Sequence, residues 1–274
     1  MDPSQNTSLE YTTLIKTEFE RRVFEDFKKW LVEVRQKWIV LKRVGKDKLP
    51  YDCRDILVLP YGTRFREKYF NRVLARFADN LVFMRERHFV HVVLTVRCKD
   101  RYFDTKMIWK NWNRLRTLLR KRVGYFEYFA VLEPHKSGFP HLHILIFTDK
   151  FLIWQKELSR IWYNYGMGKI VWLRRYWARR WKKRPLFYLY KYLSKYAKIT
   201  RTSKLGVLLF CAFLWYTKTR TYTCSRFFLS LVRKERKEKE YEFVGVFFAV
   251  ELKVWLETFV RFDHRVDDFL RKVN

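Results

Sequence analysis

The sequence predicts an α+β protein: a ferredoxin-like antiparallel sheet with helices on one face, flanked by helical N- and C-terminal extensions. Three observations predict it. Short β-branched runs ("HFVHVVLTV", "YFEYFAVLE", "PHLHILIF", "KIVWL") are interleaved with stripes of helical period. The segment "HKSG" between the second and third runs has turn composition and implies an antiparallel hairpin. Strands and helices follow the order β-α-β-β-α-β-α, which an antiparallel sheet covered on one side accommodates. The expected division is residues 1–85 as a helical extension, 86–200 as the central domain and 201–274 as a mainly helical extension.

Taken in order, apolar residues at Phe19, Val23, Phe27, Trp30 and Val34 lie one helical turn apart and predict a helix from Thr17 to Trp38. A mixed segment with Gly45, Pro50 and Pro60 follows, then a second stripe at Phe70, Val73, Phe77 and Leu81. Residues 88 to 96 read as the first strand of the sheet. Asp104 is a plausible N-cap for a helix carrying Ile108, Trp112, Leu115 and Leu119. After the hairpin, a helix from about Asp149 to Tyr163 ends at Gly166 and Gly168, "KIVWL" adds a strand, and Pro185 suits the first turn of a helix reaching Lys198. Beyond Lys204 come the apolar run "LGVLLFCAFLWY", a solvated charge run "RKERKEKE" and a last stripe through Leu252, Trp255, Phe259, Phe262, Val266 and Phe269.

The 274 residues carry a formal net charge of +31, far beyond what solubility requires, and a polyanion is the usual partner of such a surface. Aromatic residues make up 19% of the chain and interleave with basic ones in "RRYWARRWKKR". That mixture suits phosphate pairing combined with base stacking, and it nominates Arg174, Arg175, Arg179, Arg180, Lys182, Lys183 and Arg184 as nucleic-acid contacts. Cys53, Cys98, Cys211 and Cys224 have no C-x-x-C spacing and no signal peptide precedes them, which implies a reducing cytoplasm. The longest apolar run is shorter than the about 20 residues a membrane-crossing helix takes, so no membrane span is expected. No phosphate-binding G-x-x-x-x-G-K-[ST] loop is present, which argues against a fused helicase.

Side chains two apart on a strand share a face, so His141 and His143 project together. With "HKSG" at the hairpin turn, Glu133 falls opposite or nearly opposite His141, with Cβ atoms about 5 Å apart. Two imidazoles and a carboxylate leave positions open for water or phosphate oxygens and suit Mn²⁺ or Mg²⁺, the imidazoles favouring manganese. A bare His-x-His in a strand is ordinarily unremarkable, as are His88, His91, His135 and His264, which read as surface or satisfied residues; His135, in the turn, lies within reach of the cluster.

In "YLYKYLSKY", Tyr188, Tyr192 and Tyr196 recur every four residues and stack along one helical face beside Lys191 and Lys195. A tyrosine phenol has a pKa of about 10 and is a poor nucleophile while neutral. Neighbouring cations and a metal favour the phenolate and neutralise an attacked phosphate. An aromatic stripe alone more often packs a core; Tyr190 points away from the others and reads as packing.

Together and in this order, "HVVLTV" with Thr95, "E-x-x-x-x-G-x-P" at Glu133, Gly138 and Pro140 leading into "PHLHILIF", and "YLYKYLSK" resemble the motifs of the HUH endonuclease superfamily. The resemblance is to rolling-circle replication initiators, particularly those of archaeal plasmids and viruses and of single-stranded DNA phages. It covers roughly residues 88 to 228, including the downstream "LLFCAFLWYTKTRTYTCSR". It implies Tyr188 and Tyr192 as nucleophile positions, His141 and His143 as ligands of the divalent metal and Glu133 as third ligand. Both Tyr188-x-x-Lys191 and Tyr192-x-x-Lys195 fit the one-tyrosine signature, so one hydroxyl or two remain open. The implied partners are single-stranded origin DNA and a host polymerase and helicase, in a prokaryotic, archaeal cytoplasm. A transposase of related chemistry and a non-enzymatic basic nucleic-acid-binding protein are the alternatives.

Overall fold

The computed structural model describes residues 14–65, 69, 72–73, 88–176, 204–226 and 240–261. Among them the chain is mixed α and β, with antiparallel sheets and five α-helices, and it divides into two compact units, Met1–Phe27 with Arg64–Arg233 and Lys28–Thr63 with Lys234–Asn274. The boundaries expected near 85 and 200 lie outside the described residues, as do the helix expected to follow Pro185 and most of the stripe from Phe70 to Leu81.

Helix α1 (Glu18–Arg35) starts where the Thr17 hydroxyl accepts the Glu20 N–H at 3.1 Å, with Glu18 and Glu20 placed to complement the helix dipole. It was expected to run to Trp38 but stops at Arg35, because the β-branched Ile39 and Val40 pack better on a pleated surface and enter β1 (Lys37–Arg43). β2 (Tyr51–Asp52) and β3 (Ile56–Pro60) follow, so the region expected to be helical also carries strands.

The first unit holds β4 (Phe89–Leu94), α2 (Arg101–Val123), β5 (Glu127–Pro134), β6 (Pro140–Phe147), α3 (Gln155–Asn164), β7 (Val171–Tyr176), α4 (Leu205–Tyr216) and β8 (Tyr222–Cys224). Its five strands are antiparallel in the order β7-β4-β6-β5-β8. β8 was read within a helical extension; it is too short for a period to show, and it is held by Phe129–Tyr222 stacking at 5.7 Å.

Helix α2 is capped by Asp100, whose side chain accepts the Phe103 N–H at 3.0 Å, and it closes at Gly124 with φ 83°. The expected cap, Asp104, lies one turn inside and is buried. Ile108, Trp112, Leu115 and Leu119 form the buried stripe that periodicity predicts, and the Trp112 ring meets Tyr128 of β5 edge-on at 5.3 Å. Truncating a buried Trp of this kind costs about 3–5 kcal/mol. Helix α3 starts at Gln155, later than the expected Asp149, and joins α2 through Asn111 Nδ2 donating to Tyr165 O at 3.1 Å. α4 is buried nearly all round, which explains its uninterrupted apolar sequence; among the described residues no helix is long and apolar enough to cross a membrane.

In the second unit β9 (Tyr241–Phe248) pairs with β1 on the side opposite β3, giving a three-stranded antiparallel sheet ordered β3-β1-β9. Helix α5 (Ala249–Phe259) packs Leu252 and Leu256 around Val40, and β10 (Val260–Arg261) runs parallel to β2. The two segments expected to be separate helical extensions therefore share a sheet. Long-range strand pairing of this kind leaves no local signature.

Candidate active site

The period of two along β6 sends His141, His143, Leu145 and Phe147 to one face and Leu142, Ile144 and Ile146 to the other. The second face belongs to α2, since Ile146 lies opposite Tyr128, which packs on Trp112. The histidines therefore occupy the face that α2 leaves to them. The hairpin register sets Glu133 directly opposite His141 and Pro134 opposite Pro140. On the other side of β6, Val93 lies opposite His143 and His91 opposite Leu145, so His91 shares the histidine face.

The turn that fixes this register is tightly built. His135 N–H donates to Phe139 O and Gly138 N–H to His135 O, both at 2.9 Å, while Gly138 adopts φ 81°. That left-handed conformation costs glycine little and any other residue more. Arg101, 1% exposed, donates to Ser137 O through Nη2 at 2.9 Å and to Leu14 O at 2.6 Å, pairs with Glu20, and lies 4.7 Å over the Phe139 ring. α4 presses on the same turn through Gly206, where an added Cβ would collide with the Lys136 carbonyl oxygen.

A buried relay crosses the site. His143 Nε2 contacts a Glu133 carboxylate oxygen, and His143 Nδ1 lies 3.2 Å from His91 Nε2. His91, 3% exposed, stands edge-on to Trp172 at 5.0 Å. Expected to be a surface or satisfied residue, His91 is a direct neighbour of a site histidine. His141 is half-buried with its ring 4.9 Å from that of His135, whose Nδ1 lies 2.7 Å from Ser137 Oγ. Burial, reinforced by His135 and His143, draws the His141 pKa down to about 4, leaving a neutral imidazole at pH 7.

Glu133, His141 and His143 thus supply one carboxylate and two imidazoles on one face. As arranged they are paired off, Glu133 with His143 and His141 with His135, and among the described residues no group of three His, Cys, Asp or Glu converges as a metal cage. Thr95 serves the fold at the end of β4: its hydroxyl donates to Ile170 O at 2.6 Å, and its carbonyl accepts from Trp162 Nε1 at 2.7 Å and Gly168 N at 2.9 Å. Arg174 lies opposite His91 in the β4–β7 ladder, with its guanidinium 5.4 Å over Tyr176; Arg175 projects to the other face and donates to Lys150 O and Asp149 O. Tyr188, Lys191, Tyr192 and Lys195, and with them Arg179, Arg180, Lys182, Lys183 and Arg184, lie outside the described residues.

Residues 90–197 match a family model of replication-associated proteins, the ORF2 family. No curated protein and no solved structure matches the chain.

Proposed function

We propose that the chain initiates rolling-circle replication by nicking a single-stranded origin site with a tyrosine and later rejoining the strand. The observation that carries this reading is the register that sets Glu133 opposite His141, with His143 on the same face, inside the segment similar to replication-associated proteins. The β4-α2-β5-β6-α3-β7 order supports a ferredoxin-like core of the HUH kind.

Tyr188 or Tyr192 would attack the scissile phosphorus in line, giving up its phenolic proton as the new O–P bond forms. The bond from phosphorus to the 3′-oxygen breaks, and that oxygen takes a proton. A 5′-phosphotyrosine and a free 3′-hydroxyl result, the latter priming a host polymerase while a host helicase unwinds. Attack by a 3′-hydroxyl on the phosphotyrosine reverses the step and joins the strand without ATP. Lys191 and Lys195 would neutralise the phosphate, and Arg174, Arg179, Arg180, Lys182, Lys183 and Arg184 would hold the strand. Arg175, engaged by two backbone carbonyls, would support the fold beside them.

Glu133, His141 and His143 fit a divalent cation in donor type and in shared face, and would hold Mn²⁺ or Mg²⁺. Bound there, the ion would polarise the scissile phosphate. The setting would be the cytoplasm of a prokaryotic, archaeal host.

The test is incubation with Mn²⁺ and labelled single-stranded DNA from its own replicon, followed by denaturing electrophoresis. A covalent adduct mapping to Tyr188 or Tyr192 and lost in the Tyr188→Phe, Tyr192→Phe double variant is expected. Nicking undiminished in that double variant would refute the assignment, and binding with no adduct would leave a non-enzymatic DNA-binding protein.

A further inference from the structure

Away from the histidines, α3 and the start of β7 enclose an open trough of about 1170 Å³. That exceeds the roughly 300–1,000 Å³ of small-molecule pockets and suits a stretch of polymer. Its walls join large exposed apolar groups to cations. Trp154 is 71% exposed, Ile170 75% and Tyr163 46%, and Lys156, Arg160 and Lys169 line the same space. Its acid, Glu157, is already engaged by Arg122 at 2.6 Å, which holds its carboxyl below the usual range. The trough's remaining field is positive. Around it, Arg97 stacks over the Tyr163 ring at 4.7 Å, and Phe151 packs on Trp154 at 4.9 Å, so both rings are braced.

Exposed rings at this density usually mark a binding surface. Flat apolar faces set among lysines and arginines match a strand whose bases stack while its phosphates pair. An acidic or neutral protein face would leave either the rings or the cations without complement. The position also fits the chemistry: Val171, in the trough wall, directly precedes Trp172, which stands against His91.

We infer that this trough is a docking track for single-stranded DNA, with bases stacked on Trp154 and Tyr163 and phosphates paired with Lys156, Arg160 and Lys169. It rests on the nicking function proposed above, and it assigns to that function a grip separate from the "RRYWARRWKKR" segment. The track leads a strand over the β7 edge toward the histidine face.

The experiment measures equilibrium binding of the full chain to fluorescent oligo(dT) of about 20 nucleotides by anisotropy over a salt series, without added metal so that no cleavage intervenes. Trp154→Ala is expected to weaken binding about tenfold, as for loss of one stacked base. The Lys156→Ala, Lys169→Ala pair is expected to shrink the slope of log affinity against log salt by about 1.4. Tyr125→Ala, another exposed ring elsewhere on the unit, serves as the control and is expected to bind as the parent does. Wild-type affinity and salt slope in both trough variants, each with an unchanged circular dichroism spectrum, would overturn the inference. So would a change in sedimentation confined to Trp154→Ala, which would make the trough a contact between copies. Failure of the nicking function is read separately: a parent protein forming no adduct but losing oligo(dT) with Trp154 would retain the track and lose the enzyme.

Discussion

His91 Nε2 lies 3.2 Å from His143 Nδ1, across 52 residues of sequence, and the second nitrogen of His143 faces Glu133. The three groups form one line in which His143 is held from both sides. A cation taken up at His143 Nε2 leaves the ring proton on Nδ1, where His91 is placed to accept it. Buried partners that fix the ring of a ligating histidine typically contribute 10–100-fold in metal affinity or activity. His91→Ala is therefore expected to weaken Mn²⁺ binding by roughly 10-fold or more, read by electron paramagnetic resonance of free Mn²⁺. His91→Gln, whose amide oxygen accepts, is expected to recover part of it. Equal Mn²⁺ affinity in all three proteins would make His91 a packing residue.

Removing the metal separates chemistry from grip. EDTA is expected to stop cleavage while leaving much of the salt-sensitive DNA binding, because the latter arises from phosphate pairing. Glu133→Gln, which keeps shape and loses charge, is expected to raise the Mn²⁺ concentration needed for half-maximal nicking. Full activity in chelator would take the metal out of the account.

The hairpin turn has a measurable rigidity. At Gly138, φ of 81° and a new Cβ 3.1 Å from both Gly206 O and Leu209 Cβ make alanine unfavourable. Gly138→Ala is expected to cost roughly 1–2 kcal/mol from the backbone conformation alone, read as a lower urea midpoint. Gly206→Ala, which drives a methyl into the Lys136 carbonyl, is expected to cost about 1–3 kcal/mol. Both variants are also expected to nick more slowly, because the turn sets Glu133 against His141.

Asp104 makes stability depend on pH. It is 2% exposed, and burial raises its carboxyl to about 6. The folded state then binds a proton that the unfolded chain, with a carboxyl near 3.9, has released between those values. Its contribution is present below about pH 4 and is lost as pH rises through about 6. Asp104→Asn is expected to raise the thermal midpoint relative to the parent at pH 7.5, with the difference shrinking toward pH 4. A constant difference across the range would assign the effect to something other than ionisation.

Much of the first unit was legible because its signals are local. The β6 pattern needs only a period of two, the hairpin only "HKSG", and the α2 stripe only the spacing from Ile108 to Leu119. These place Glu133, His141 and His143 on one face without any knowledge of the other strands. His91 was not legible as a site neighbour, since that depends on β4 lying beside β6, and nothing within "HFVHVV" states which strand will be adjacent. The α2 cap was misplaced because Asp100 and Asp104 are both acceptable caps one turn apart, and burial made the choice. β9 was missed for the same reason as His91: its partner, β1, is nearly the whole chain away.

That distance bears on how the protein is made. β1 leaves the ribosome roughly 200 residues before β9, which at about 5–20 residues per second is a delay on the order of 10–40 s. Throughout that interval the β1–β3 hairpin has one hydrogen-bonding flank uncovered, whereas the strands of the histidine-bearing sheet are all synthesised before β9 emerges. Nascent chains stalled before Tyr241 would thus present an assembled nuclease core together with an adhesive N-terminal ribbon, the form most exposed to chaperone capture and to coaggregation on the polysome.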